Sequence, residues 1–339
     1  MIDTRLSRGV RRRAPRSTPY FHAVMTLLVW TAWFLWGGQR AVQALETHWP
    51  VSLTMAFGSL IAGATSEGGG AVAFPIFTKV LAIAPSDARI FSLAIQSVGM
   101  TAASLLILFM RIRVSWRAIL CASLAGIPGI ALSSFWLSPL VSPVVVRISF
   151  TLMLASFAVT LWLLNRVDRA THSDLSLFGG REVMLLALAG LLGGIMSGLV
   201  GNGIDIVTFA LLVLLFRVSE KVATPTSVIL MAGNSLVGFG LHLFVLDDFT
   251  PQIQAWWLAA VPIVVVGAPV GAMLCGWMTR HHIAWLLIFL ILVEFVTSLI
   301  LIPLSADLLM WAAGALVLLA GVDYALYRSS RYLPTHVGR

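Results

Sequence analysis

Hydrophobic residues fall in ten blocks along the chain, at about 21–38, 51–84, 88–110, 117–138, 143–164, 183–216, 222–246, 254–279, 283–303 and 307–327. A bilayer-crossing helix needs about 20 apolar residues, and eight of the blocks have that length. Blocks 51–84 and 183–216 hold 34 residues each. As one straight helix, either would run to about 51 Å against a hydrocarbon core of about 30 Å. Each has glycines near its middle: Gly68, Gly69 and Gly70 in the first, Gly198, Gly201 and Gly203 in the second. Glycine there favours a break. Each long block is therefore a kinked single span or a re-entrant hairpin of two half-helices.

Charge separates these alternatives. Six arginines precede the first block and three follow the last. If both long blocks return to their own side, one side of the membrane receives 18 of the 22 basic residues. That side holds Arg111, Arg113 and Arg117, then Arg166, Arg169 and Arg181, then Arg217, Lys221 and Arg280, with both tails. Asp247 and Asp248 fall on the other side. If both blocks are single spans, the groups at 111–117 and 166–181 change sides and six arginines break the positive-inside rule. The re-entrant arrangement is expected, with both termini cytoplasmic. The first block is read as a retained helix, because about 18 residues with three tryptophans is long for a signal sequence.

The composition agrees. Of 339 residues, 59% are hydrophobic and 11% charged, and the mean hydropathy is +0.96. Soluble domains carry about 45–50% apolar and about 25% charged residues. A soluble enzyme, a secreted disulfide scaffold and a disordered chain are excluded. Cys121 and Cys275 sit in apolar runs and read as packed side chains. The net charge of +8 is explained by the flanking arginines, and no nucleic-acid partner is expected. The tryptophans near block ends, among them Trp116, Trp136, Trp256 and Trp257, read as an interfacial belt in contact with lipid.

The two glycine-broken blocks align without gaps at an offset of 135. Gly58/Gly193, Gly63/Gly198, Gly68/Gly203, Val72/Val207, Phe74/Phe209, Ala88/Ala223 and Ser92/Ser227 are identical pairs. Further on the offset becomes 141, with Trp116/Trp257, Gly126/Gly267 and Pro128/Pro269. Each copy holds a broken block and three spans, so the copies run in opposite orientations. Inverted repeats with discontinuous helices are a transporter architecture, with the site where the repeats meet. The expected fold is an all-α polytopic membrane protein with about eight full spans and two re-entrant hairpins. Its parts are a basic tail and first helix (1–50), repeat 1 (51–164), a cytoplasmic loop (165–182), repeat 2 (183–303) and a last span with its tail (304–339).

A half-helix starting after the glycines would aim free N–H groups at the membrane interior, and those favour an anion. The competing reading is close helix packing at the glycines. The run Gly63-Ala64-Thr65-Ser66-Glu67-Gly68-Gly69-Gly70 with Pro75, followed by Ala88 and Ser92, resembles the TauE/SafE family of sulfite and organosulfonate exporters. The second half matches with Gly198, Gly201, Gly203, Ala223, Thr226 and Ser227. The resemblance covers about residues 51–303 and implies export of a small oxyanion or organosulfonate from a bacterial cytoplasm across the inner membrane. Ser66 stands where the family has a glycine, and Glu67 where it is usually apolar. Ile204 and Asp205 replace two glycines, and Asn202 sits opposite Glu67.

Polar groups inside spans are functional candidates. Ser66, Gly68, Gly69, Gly70, Gln96, Ser97, Gly201, Asn202, Gly203, Asn234 and Arg147 are the expected substrate-binding set. Glu67, Asp205 and Glu294 are the expected proton-coupling set. Protonation of Glu67 or Asp205 would remove its repulsion of an anionic cargo, and Asp205 alternatively caps the second half-helix. Lys79 and Arg147 also read as snorkelling side chains, and His242 as interfacial. No cofactor, catalytic residue or metal ligand set is expected, because no His-Glu-x-x-His, Gly-x-Ser-x-Gly or Walker A motif occurs. The sequence 201–205 misses the Gly-x-Gly-Asp spacing of an intramembrane protease by one residue. The alternative to an anion exporter is a proton or metal-cation carrier using the buried carboxylates, ahead of an intramembrane enzyme.

Overall fold

The structure is a computed structural model. It describes residues 15, 17–66, 76–165, 171–172, 175, 179–301, 308, 310–319 and 321. Helix α1 is Thr18–Thr47, α2 Trp49–Ala64, α3 Pro85–Phe109, α4 Trp116–Leu132, α5 Pro143–Asn165 and α6 Gly180–Val200. Then come α7 Ile204–Ala210, α8 Glu220–Phe244, α9 Pro251–Trp277, α10 Arg280–Leu301 and the short α11, Met310–Leu319. Starts are set by residues that suit a first turn: Pro85 opens α3, and Thr250 accepts a bond from Ile253 N ahead of Pro251 in α9. Helix α4 contains Pro128 and continues through a π-helical turn, Ser133–Leu137.

Among the described residues, eight helices are long and apolar enough to cross a membrane. The count agrees with expectation, but the membership differs. Helix α6 is one of the eight. At 21 residues it runs to about 31 Å, so the first limb of block 183–216 is a full-length helix and not a half-helix. Its return limb, Ile204–Leu215, is short. The block at 21–38 extends to Thr47 across a kink at Gly38. Of block 307–327, the extended stretch described is α11.

The offset of 135 reappears in the backbone. The π-helical turn Ile76–Val80 corresponds to Leu211–Leu215, and both ends of α3 correspond to both ends of α8. Ala82 and Arg217, again 135 apart, share a left-handed φ of 52°. The packing is paired as well: α2 lies chiefly on α9 while α6 lies on α4, and α3 meets α8 as α5 meets α10. The tight pairs are glycine seams. A Cβ on Gly63 would sit 1.8 Å from the Ala268 carbonyl oxygen, and one on Gly194 2.4 Å from that of Gly126. Lipid tails supply no hydrophobic force between helices, so such backbone contact is how membrane helices gain van der Waals energy.

After the short limb the chain returns to the segment that precedes α6. His172 N donates to Arg217 O, and Ser219 N donates to His172 O, each at 2.9 Å. Trp257 also departs from the belt expectation. Its Nε1 donates to Ala94 O in α3 at 3.0 Å, and its ring contacts Phe239 and Phe249. Trp116 and Trp136 are exposed, as expected of belt residues.

Candidate functional site

Helix α6 ends at Val200, and Gly201, with φ 87°, turns the chain. Gly201 has to be glycine for a second reason: a Cβ there would stand 2.7 Å from Ser92 Cβ and 2.8 Å from Arg89 O. Gly203 leads into α7. The opening of α7 is not bare backbone. Ile204 N donates to Ser197 Oγ at 3.1 Å, and Ile206 N donates to Asp205 Oδ1 at 3.0 Å. Two donors expected to face an anion are thus already satisfied within the chain, and Asp205 holds one of them. Asn202 and Asp205 are fully buried. Asp205 Oδ2 has no hydrogen-bond partner among the described residues.

One face of α3 closes on this break. Arg89, Ser92 and Gln96 lie at helical spacing along it. Gln96 Nε2 donates to Gly201 O at 2.9 Å, and Ser92 Oγ donates to the same oxygen at 3.1 Å. Arg89 Nη1 donates to Gly198 O at 3.1 Å and also to Ser138 Oγ. These bonds occupy carbonyls that the end of α6 leaves without helical partners. From α8, the Asn234 amide approaches where α4 meets α7: a Cβ on Gly126 would lie 2.5 Å from Ile204 Cδ1 and 3.3 Å from Asn234 Nδ2. Both polar atoms of Asn234 are buried without a partner among the described residues.

The structure therefore gathers Gly201, Asn202, Gly203, Asp205 and Gln96, with Asn234 beside Ile204. Ser97 turns to its own helix and donates to Ala94 O. Ser66 is buried just beyond α2, at the position equivalent to Gly201. Glu67, Gly68, Gly69 and Gly70 lie outside the described residues, as does the Lys79 side chain. Arg147 and Glu294 belong to another helix pair. Glu294 Oε1 accepts from Ser298 Oγ at 3.0 Å and from Thr151 Oγ1 at 3.4 Å, and its charge attracts Arg147 across α5 and α10.

Sequence reading passed over Arg89, which stands three residues before a matched serine and at the edge of an apolar block. His242, in the last turn of α8, is fully buried within the protein. His242 Nδ1 lies 2.8 Å from Asp248 Oδ1. The aspartates that looked like a loop charge include the partner that lets a histidine enter the core. Among the described residues, no group of three or more His, Cys, Asp or Glu side chains could hold a metal ion.

Eight long apolar helices around a glycine-interrupted, polar-lined segment define an all-α polytopic membrane protein. Residues 51–297 match the family described as Sulfite exporter TauE/SafE, and the chain belongs to that family. It is a multi-pass membrane transporter of the bacterial inner membrane. No curated protein and no solved structure matches it.

Proposed function

We propose that the protein exports a small oxyanion, sulfite or an organosulfonate, by alternating access between two inverted repeats, with proton coupling at Asp205. The observation that carries this reading is the break at Gly201–Gly203, with the fully buried Asp205 beside it. One carboxyl oxygen is held by Ile206 N, and the other has no partner among the described residues. Protonated, that oxygen can donate to an anion; ionised, it repels one. The amides of Asn202 and Asn234 supply neutral donors that hold an anion in either case. Glu67, with Ser66 and the glycines that follow, is proposed to serve the same purpose in the first repeat.

The element-by-element correspondence at 135 residues supports the repeat, and the three long helices of the first copy, an odd number before the second begins, support its inversion. The bonds tying His172 to Arg217 and Ser219 support a re-entrant second hairpin. The distribution of arginines supports cytoplasmic termini. Of the candidate carboxylates, Glu294 is proposed to pack rather than couple, since it already accepts from Ser298 and Thr151 and attracts Arg147.

The test is a flux screen in proteoliposomes with sulfite, sulfoacetate, taurine and simple carboxylates against a metal-cation panel. Anion flux that responds to a pH gradient is expected. The open oxygen of Asp205 also suits a proton or cation carrier, and cation flux without anion flux would establish that second reading instead.

A further inference from the structure

Arg89 lies near the start of α3 with 7% of its surface exposed. Its Nη1 bonds tie it to the last turn of α6 and to Ser138 at the end of the α4 segment. Its Nε is buried with no acceptor, and no carboxylate forms an ion pair with it among the described residues. Asp248 attracts it from farther off, but both Asp248 oxygens lie within 3.0 Å of His242 Nδ1. Arg147, likewise about one turn into its helix, has Glu294 on the facing helix.

A guanidinium inside a membrane protein with no close counter-charge is costly. The carbonyl end of α6 offsets part of that cost, since cations are favoured at a helix C-terminus. Capping would not require a charged residue, however, and the equivalent position in the second half is Thr224. The charge is therefore particular to one half. It stands one helical turn from Ser92 and two from Gln96, the residues that hold Gly201 O. Its backbone carbonyl is in contact range of Gly201.

We propose that Arg89 is the residue that pairs with the anionic cargo beside the break and makes the site select for oxyanions. The inference rests on the anion-export reading and adds a residue and a selection rule to it. A sulfite or sulfonate head group presents two oxygens at the spacing of the guanidinium fork. Ser138 Oγ and Gly198 O both accept from Nη1; the cargo's two oxygens would accept from Nε and the other Nη. A lysine keeps the charge but lacks the fork. Asp205 on the far side of the break then controls the anion's release from this cation.

The test is calorimetric titration of the full chain in lipid nanodiscs with ethanesulfonate and with sulfite. Wild type, Arg89→Gln, Arg89→Lys and Ser138→Ala are compared, each checked for folding by its thermal transition. Arg89→Gln is expected to bind ethanesulfonate about 30-fold more weakly, the loss of a charge-assisted bond pair. Arg89→Lys should bind about tenfold more weakly. Ser138→Ala releases the fork and should bind at least as tightly as wild type. A merely structural role would lower the thermal transition of Arg89→Lys and leave its affinity unchanged, and that result overturns the proposal. If Arg89→Gln does not fold, Arg89→Lys and Ser138→Ala decide by the same criteria. Wild-type protein that binds neither anion would overturn the anion reading and this inference together, whereas Arg89 variants that bind like wild type overturn this inference alone.

Discussion

Replacing Gly201 by alanine tests whether the break is a tight interhelical contact or a loose connection. The new methyl group would stand 2.7 Å from Ser92 Cβ, about 0.7 Å inside ordinary van der Waals contact. The second contact, 2.8 Å from Arg89 O, is backbone and cannot rotate away, so α3 has to move. Overpacking of this kind costs about 1–3 kcal/mol. The left-handed φ of 87° adds about 1–2 kcal/mol for a residue with a Cβ. Together the substitution should destabilise the protein by about 2–5 kcal/mol. Movement of α3 also displaces Ser92 and Gln96 from Gly201 O, so transport should fall in the protein that still folds. Gly233→Ala is the matched control. It lies inside α8 with nothing within 4 Å of a Cβ, and should be neutral or stabilising by up to about 1 kcal/mol. Denaturant unfolding in detergent micelles reads both. If Gly201→Ala unfolds within about 0.5 kcal/mol of wild type, the scatter of a harmless surface change, the close contact between the break and α3 is refuted.

Three further outcomes are expected. Asp205→Asn keeps an oxygen for Ile206 N but cannot carry the proton, so anion exchange should persist while accumulation driven by a pH gradient disappears; wild-type accumulation would remove Asp205 from coupling. Glu294→Gln keeps hydrogen-bonding atoms beside Ser298 and Thr151 but removes the charge that attracts Arg147. It should therefore lower thermal stability and leave the pH dependence of flux in place, and loss of pH-driven flux with unchanged stability would reverse the two roles. In a cysteine-free background, Ser86→Cys should react with a membrane-impermeant maleimide from outside and Lys221→Cys only from inside. Reaction of both from one side would refute the inverted arrangement.

Seven of the eight long apolar helices and the 135-residue correspondence were legible in the chain because bilayer thickness imposes a length and a polarity on every crossing segment. Local rules also marked the break at Gly201, since a left-handed turn selects glycine. The lengths of the limbs were not legible. The apolar run is continuous through Val200, and only packing of the short limb on α6 decides where each helix stops. Partnership between polar residues distant in sequence was equally hidden. Arg147 acquires Glu294, His242 acquires Asp248, and Trp257 acquires Ala94 O, each through the approach of helices that hydropathy alone does not pair. Arg89 is the clearest case. Its neighbours in sequence are unremarkable for an arginine near a helix start, and its burial against Gly198 and Gly201 exists only because α3 folds across the end of α6. Side-chain chemistry and hydrophobic period belong to the chain, whereas the counter-charge a buried ion meets is decided by tertiary structure, because electrostatic and hydrogen-bond energies depend on distance in space.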